Sequence, residues 1–187
     1  MNESRVWEKL AGYCGALAPI VTLSLIMLSM YISPSFSITQ DALSKLGVTP
    51  GLPSILFNFG LVLGGLMLMP FSLKIHRVME KGKFLGFLFS LISLNIIAIG
   101  VFPQSHPFHL PLALSFFSLL PLILITLGIL TLRDDAYTVG ELEIISGAAI
   151  IAVWLVPWGS KGIPELTASV ICSTWVIDKG VELAKNG

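Results

Sequence analysis

Charge is what this chain has least of. Asp, Glu, Lys and Arg make up 12% of its 187 residues, about half the share of an ordinary soluble domain. The eleven acids and eleven bases cancel, so no net positive field exists to draw a nucleic acid. Cysteine is nearly absent. Cys14 and Cys172 each lie inside an apolar run, where they read as small core residues and not as a disulfide or a cysteine metal site. Motifs are missing too. There is no Gly-x-Ser-x-Gly elbow, no phosphate-cradling glycine loop ending in Lys-Ser/Thr, and no dinucleotide fingerprint. No file of acids or bases runs along a helix, as a proton relay or voltage sensor requires.

What fills the chain instead is apolar. Hydrophobic residues reach 55% and the mean hydropathy is +0.88. The uncharged runs are long enough to cross a bilayer, which takes about 20 helical residues. The expected fold is all-α: a polytopic membrane helix bundle of six transmembrane helices, residues 1–187 forming one transmembrane domain. Helix 1 is expected over Leu10–Ile32, kinked at Pro19 and too long for a signal-peptide core. The others are expected over Pro53–Leu73, Phe84–Phe102, Pro111–Leu132 (kinked at Pro121), Glu141–Val156 and Pro164–Ala184. Trp154 and Trp158 read as interface anchors. In helix 3, Gly86, Ser90, Ser93, Ile97 and Gly100 share a side. Asn95 reads as an amide bonding across helices.

Between helices 1 and 2, Ser37-Ile-Thr-Gln40 reads as a capping box and Gly47 as a C-cap. Ile38, Ala42 and Leu46 share one side of the implied helix, so a short amphipathic helix on the membrane surface is expected in this first outer loop. Asp41 has two readings there, a site residue or an i,i+4 partner of Lys45. Helix 6 carries Glu165 and Asp178 thirteen residues apart, about 20 Å along a helix. Both cannot stand outside an undeformed bilayer. Glu165, Ser169, Cys172 and Ser173 share a side, which is therefore expected to face protein.

Alternating the loops sorts the bases. Nine fall on one side: Arg5, Lys9, Lys74, Arg77, Lys81, Lys83, Arg133, Lys179 and Lys185. Two, Lys45 and Lys161, fall on the other. The positive-inside rule then puts both termini in the cytoplasm of a multi-pass cell-membrane protein. The three helices that descend from the outer side open with an apolar residue and proline: Leu52-Pro53, Leu110-Pro111 and Ile163-Pro164. Proline at that place costs no helix hydrogen bond.

The turn Gly100–Pro111 carries two of the three histidines, His106 and His109, among three prolines. Topology gathers Asp41, Ser44, His106, His109 and Glu165 at one depth on the outer side, with Asn58 within two turns of it. Two imidazoles and two carboxylates could hold a divalent metal such as zinc, with His106, His109, Asp41 and Glu165 as ligands, or run acid–base chemistry. The plainer reading makes both histidines loop residues and Glu165 a carboxylate favoured by a helix N-terminus.

The run Asp41-Ala-Leu-Ser44-Lys-Leu-Gly47, the pair Phe57-Asn58, the stretch Gly100-Val-Phe-Pro103 and the downstream His109 together resemble a prokaryotic family of small membrane proteins, domain of unknown function 998. The resemblance covers nearly the whole chain. It implies a six-helix membrane fold and no established activity. A more distant likeness is to membrane hydrolases of the alkaline ceramidase kind, which place Ser, Asp and His around zinc. This chain lacks their paired histidines in a final helix and their seventh span.

Three functions follow as expectations. One is binding or transport of a lipid headgroup or small solute in a polar pocket near the outer face. The second is metal-dependent lipid hydrolysis at that interface. The third is assembly with another subunit, or as a homo-oligomer, through the small-residue pattern Gly60-Leu-Val-Leu-Gly64. Membrane lipids are the expected partners, and no nucleic acid is.

Overall fold

The computed structural model describes residues 3–78, 82–134 and 136–186. Six long helices run through them: α1 (Glu3–Tyr31), α2 (Leu52–Val78), α3 (Gly82–Val101), α4 (His109–Arg133), α5 (Tyr137–Leu155) and α6 (Gly162–Asn186). A 3₁₀ helix, Leu43–Val48, stands between α1 and α2. No strand occurs among the described residues. Most helices exceed the apolar runs that announce them, because polar ends such as Glu3–Lys9 continue the same turns. Pro19, Pro70 and Pro121 all lie inside helices. The basic loop expected at Lys74–Lys83 shrinks as α2 runs on to Val78; Met79–Lys81 lie outside the described residues, as does Asp135.

Each helix packs on its neighbours in sequence, and α6 returns to α1, so the six close into a ring. Small residues set the closeness. A Cβ on Gly65 would touch Ile97 and the Ser93 carbonyl, and one on Gly100 would touch the Asn58 carbonyl. The expected small-residue side of α3 is thus its seam with α2. Gly60 and Gly64 meet Leu25 and Thr22 of α1, so this pattern serves packing within the chain. Gly12 and Gly180 bring the backbones of α1 and α6 together, antiparallel, far from the 3₁₀ helix. Inside the ring lies one apolar core around Phe71, Leu85, Phe89, Leu120, Ile123, Leu124 and Ile150.

The outside is apolar as well. Ile55, Phe59, Phe87, Leu114, Ile145 and Leu155 are among many large exposed hydrophobic side chains. Among the described residues five helices are long and apolar enough to cross a membrane: Arg5–Tyr31, Leu52–His76, Lys83–Val101, His109–Arg133 and Tyr137–Leu155. α6 is not among them, since Glu165, Asp178, Lys179, Glu182 and Lys185 interrupt it. It is nonetheless 25 residues long, about 37 Å, and lies along α1. Helix direction gives two rims. The basic rim holds the first turns of α1 and the ends of α2, α4 and α6. The opposite rim holds residues 32–51, 102–108 and 156–161.

Several local expectations change. The short helix is 3₁₀ and begins at Leu43, six residues after the expected cap. Ser37 caps nothing; its N–H instead donates to the Asp41 carboxylate at 2.9 Å. Leu43, Leu46 and Gly47 are buried, packed with Ile26 and Phe57. The short helix is therefore a plug set into the bundle, not a raft on the membrane surface. The Asn95 amide donates back to Leu91 of its own helix at 2.9 Å, not across to another. Trp154 is half-buried against Phe117, while Trp158 is exposed.

Candidate functional site

The rim opposite the basic one is where polar side chains reach into the bundle. Its geometry starts with Gly162. Its Cα passes so close to the Asp41 and Ile38 carbonyls that a Cβ would lie 2.4 and 2.8 Å from them. Ser160 adds a hydrogen bond to the Ile38 carbonyl at 2.7 Å. The first turn of α6 is thereby fixed beneath the plug. Glu165, one turn on, accepts the Leu43 N–H at 2.7 Å through Oε2. Its other oxygen has no hydrogen-bond partner among the described residues, and the residue is only 7% exposed.

His109 comes to the same place from the other side. It is not a loop residue: it opens α4 and is 6% exposed. Its Nδ1 lies 2.8 Å from the Phe102 carbonyl. A carbonyl only accepts, so Nδ1 donates, and a neutral ring presents Nε2 as a free acceptor. The turn Pro103–Phe108 makes this bond by bringing the end of α3 over the start of α4. Its stiffness comes from two prolines, Pro103 and Pro107, and from His106, packed at a tilt against Phe102 and Phe108 at 4.7 and 5.2 Å between centroids.

Two cavities meet at these groups. An inner one of about 120 Å³ lies within the ring, walled by Leu23, Ile26, Leu68, Phe89, Ile96 and Leu120. A larger groove of about 620 Å³ runs between α4 and α5. Its walls are Leu110, Leu114, Phe117, Pro121, Ile151 and Leu155; its mouth is Gln104, Ser105, His106 and Lys161. Ser44, His109, Ala113, Phe117 and Glu165 border both. The side of α6 bearing Glu165, Ser169, Cys172 and Ser173 faces the inner cavity as its spacing implies.

The remaining site candidates fall elsewhere. Asp41 pairs with Lys45 at 2.7 Å, the i,i+4 reading. The hydrogen bonds from the Lys45 ammonium and the Ser37 N–H hold its carboxyl below the usual aspartate value. Asn58 donates to the Gly47 carbonyl at 2.9 Å and so anchors the plug; its Oδ1 is buried without a partner. Among the described residues no three His, Cys, Asp or Glu side chains gather as a metal set would. The carboxylate of Asp41 is already committed to Lys45 and Ser37.

Two residues of interest carry little signal in the sequence. Glu143 sits two turns inside α5, 4% exposed. It accepts the Trp175 indole N–H at 2.8 Å, and its other oxygen is buried without a partner. The expected helix 5 starts at Glu141, which would leave Glu143 in its first turn; the helix begins four residues earlier, at Tyr137. The Trp154 N–H, on the groove wall, is likewise buried without an acceptor.

Fold, apolar exterior and these polar groups at one end of a hydrophobic ring define a multi-pass membrane helix bundle. Comparison with protein families matches residues 16–180 to a family described as protein of unknown function (DUF998). The chain belongs to that family. No curated protein and no solved structure matches it.

Proposed function

We propose that this protein binds a lipid-like amphipathic molecule in the groove between α4 and α5, with the headgroup at the rim poor in basic residues. By the positive-inside rule that rim is the outer one, the termini are cytoplasmic, and α6, lying antiparallel along α1, is a sixth span. One observation carries the reading. The groove is walled by apolar side chains and polar at its mouth, and it reaches two buried residues, His109 and Glu165, that each keep an acceptor atom unpaired among the described residues. Its volume of about 620 Å³ falls in the range of ordinary ligand pockets. The Trp154 N–H on the groove wall is buried without an acceptor among the described residues, and such groups are costly, so a ligand that supplies partners is favoured over an empty groove.

Filling the groove tests this. Ala113 borders both cavities, and Ala113→Phe puts a ring where the ligand would lie. Native mass spectrometry of the protein released from nanodiscs is expected to find lipid retained by the parent and lost in the variant. A variant that folds and retains lipid equally would refute the groove as the site.

A further inference from the structure

The polar groups of the groove stand in a fixed order of charge. Glu165 is buried, with one oxygen unpaired among the described residues. Beside it are His109, whose Nδ1 is spent on Phe102, and the Ser44 hydroxyl. Further out, one helical turn earlier on the chain, is Lys161 at the exposed mouth. The ion pairs among the described residues are Asp41–Lys45, Glu8–Lys74 and Lys179–Glu182. Neither Glu165 nor Lys161 is in an ion pair with a described residue, although the Lys161 charge is near enough to be felt at Glu165. A buried carboxylate without a cation is expensive, and Glu165 and His109 both ask for donors, not acceptors.

Resting on the groove reading above, we propose that the occupant is an amphiphile whose headgroup carries a primary ammonium with a phosphate beside it, the chemistry of an ethanolamine phospholipid. The ammonium brings the missing charge to Glu165 and three N–H donors for Glu165, His109 and Ser44. The phosphate meets Lys161. The protein thus offers negative then positive going outward, and the headgroup offers positive then negative. A choline headgroup fails because its nitrogen has no N–H. A glycerol headgroup fails because it brings hydroxyls without positive charge. Lys161 itself is the rival partner for Glu165, four residues before it, but lysine placed before glutamate is the weaker order on a helix.

The test uses the full chain in nanodiscs of equal parts phosphatidylethanolamine, phosphatidylcholine and phosphatidylglycerol, with retained lipids counted by native mass spectrometry. The ammonium brings charge-assisted hydrogen bonds that the other two headgroups lack, so phosphatidylethanolamine is expected to be retained at least about tenfold over them. Glu165→Gln keeps an acceptor for the Leu43 N–H but removes the charge, and is expected to bring the three lipids level. Lys161→Ala is expected to lower retention of phosphatidylethanolamine, and dodecylamine, which has no phosphate, to compete with it only weakly. Equal retention of all three lipids by the parent, or a preference for phosphatidylglycerol, would overturn the headgroup assignment while leaving the groove intact, provided Ala113→Phe still empties it. No lipid retained by the parent would bring down the groove reading itself. Full competition by dodecylamine would overturn the role of the phosphate.

Discussion

Replacing Gly12 by alanine puts a methyl group where two helix backbones already meet. An ideal Cβ there would lie 2.4 Å from the Ala184 nitrogen, 2.8 Å from its Cα and 2.8 Å from the Gly180 carbonyl oxygen. Ordinary contact begins at 3.4 Å, so α1 and α6 must part by about 1 Å. The obstructing atoms are backbone, which cannot swing aside as a side chain would. Overpacking of this kind costs about 1–3 kcal/mol. Alanine's better helix propensity returns up to about 1 kcal/mol. Because backbone obstructs, the cost falls in the upper part of that range, about 2–3 kcal/mol, so a net loss of about 1–2 kcal/mol is expected after the propensity gain, and Gly180→Ala should behave alike, since its Cβ would lie 2.4 Å from the Ala16 nitrogen. The two substitutions open one seam, so their double variant should lose less than the sum. The assay is reversible unfolding in mixed micelles, followed by tryptophan fluorescence. An alanine variant as stable as the parent, or more stable, would refute the close α1–α6 crossing and with it the ring.

Other outcomes follow from single contacts. Asn58→Ala removes the bond to Gly47 and should cost about 1–3 kcal/mol of stability, with the plug around Leu46 opening first in hydrogen exchange. Glu143→Gln keeps an acceptor for Trp175 and should be neutral or stabilising, whereas Glu143→Leu strands the indole N–H and should cost about 1–3 kcal/mol. Asp41 has a depressed folded pKa, so its contribution is present above the ordinary aspartate range and vanishes as pH falls through the folded value. The stability gap between the parent and Asp41→Asn should therefore close in acid, as a melting series against pH will record. Single cysteines at Gln104 and Lys83 should react with an impermeant thiol reagent from opposite sides of sealed vesicles; labelling from one side would refute the arrangement of the rims.

Much of the bundle is written in hydropathy, because crossing a membrane leaves few other ways to satisfy a backbone. The six long helices, the small-residue seam of α3 and the inward side of α6 all follow from spacing alone. The short helix does not. Its residues resemble a surface amphipathic helix, yet their burial depends on Gly162 and Asn58, which are remote in sequence. His109 reads as a loop residue because Pro111 marks a helix start, but proline fits anywhere in the first turn, so α4 begins two residues earlier. The i,i+4 pairing of Asp41 with Lys45 is local and was readable. The meeting of His109 with Glu165 was only half readable: topology gives a shared rim, and side-chain placement gives a shared cavity.

The bond between Leu43 and Glu165 joins groups 122 positions apart, and this has a consequence for biosynthesis. Helices enter the bilayer roughly in the order they leave the ribosome, amino-terminal parts first. Until the last of them arrives, the plug has no floor and the inner cavity stands open on one flank. A chain stalled after α5 would therefore be inserted but empty-handed, recognisable to a membrane protease by the gap where α6 belongs.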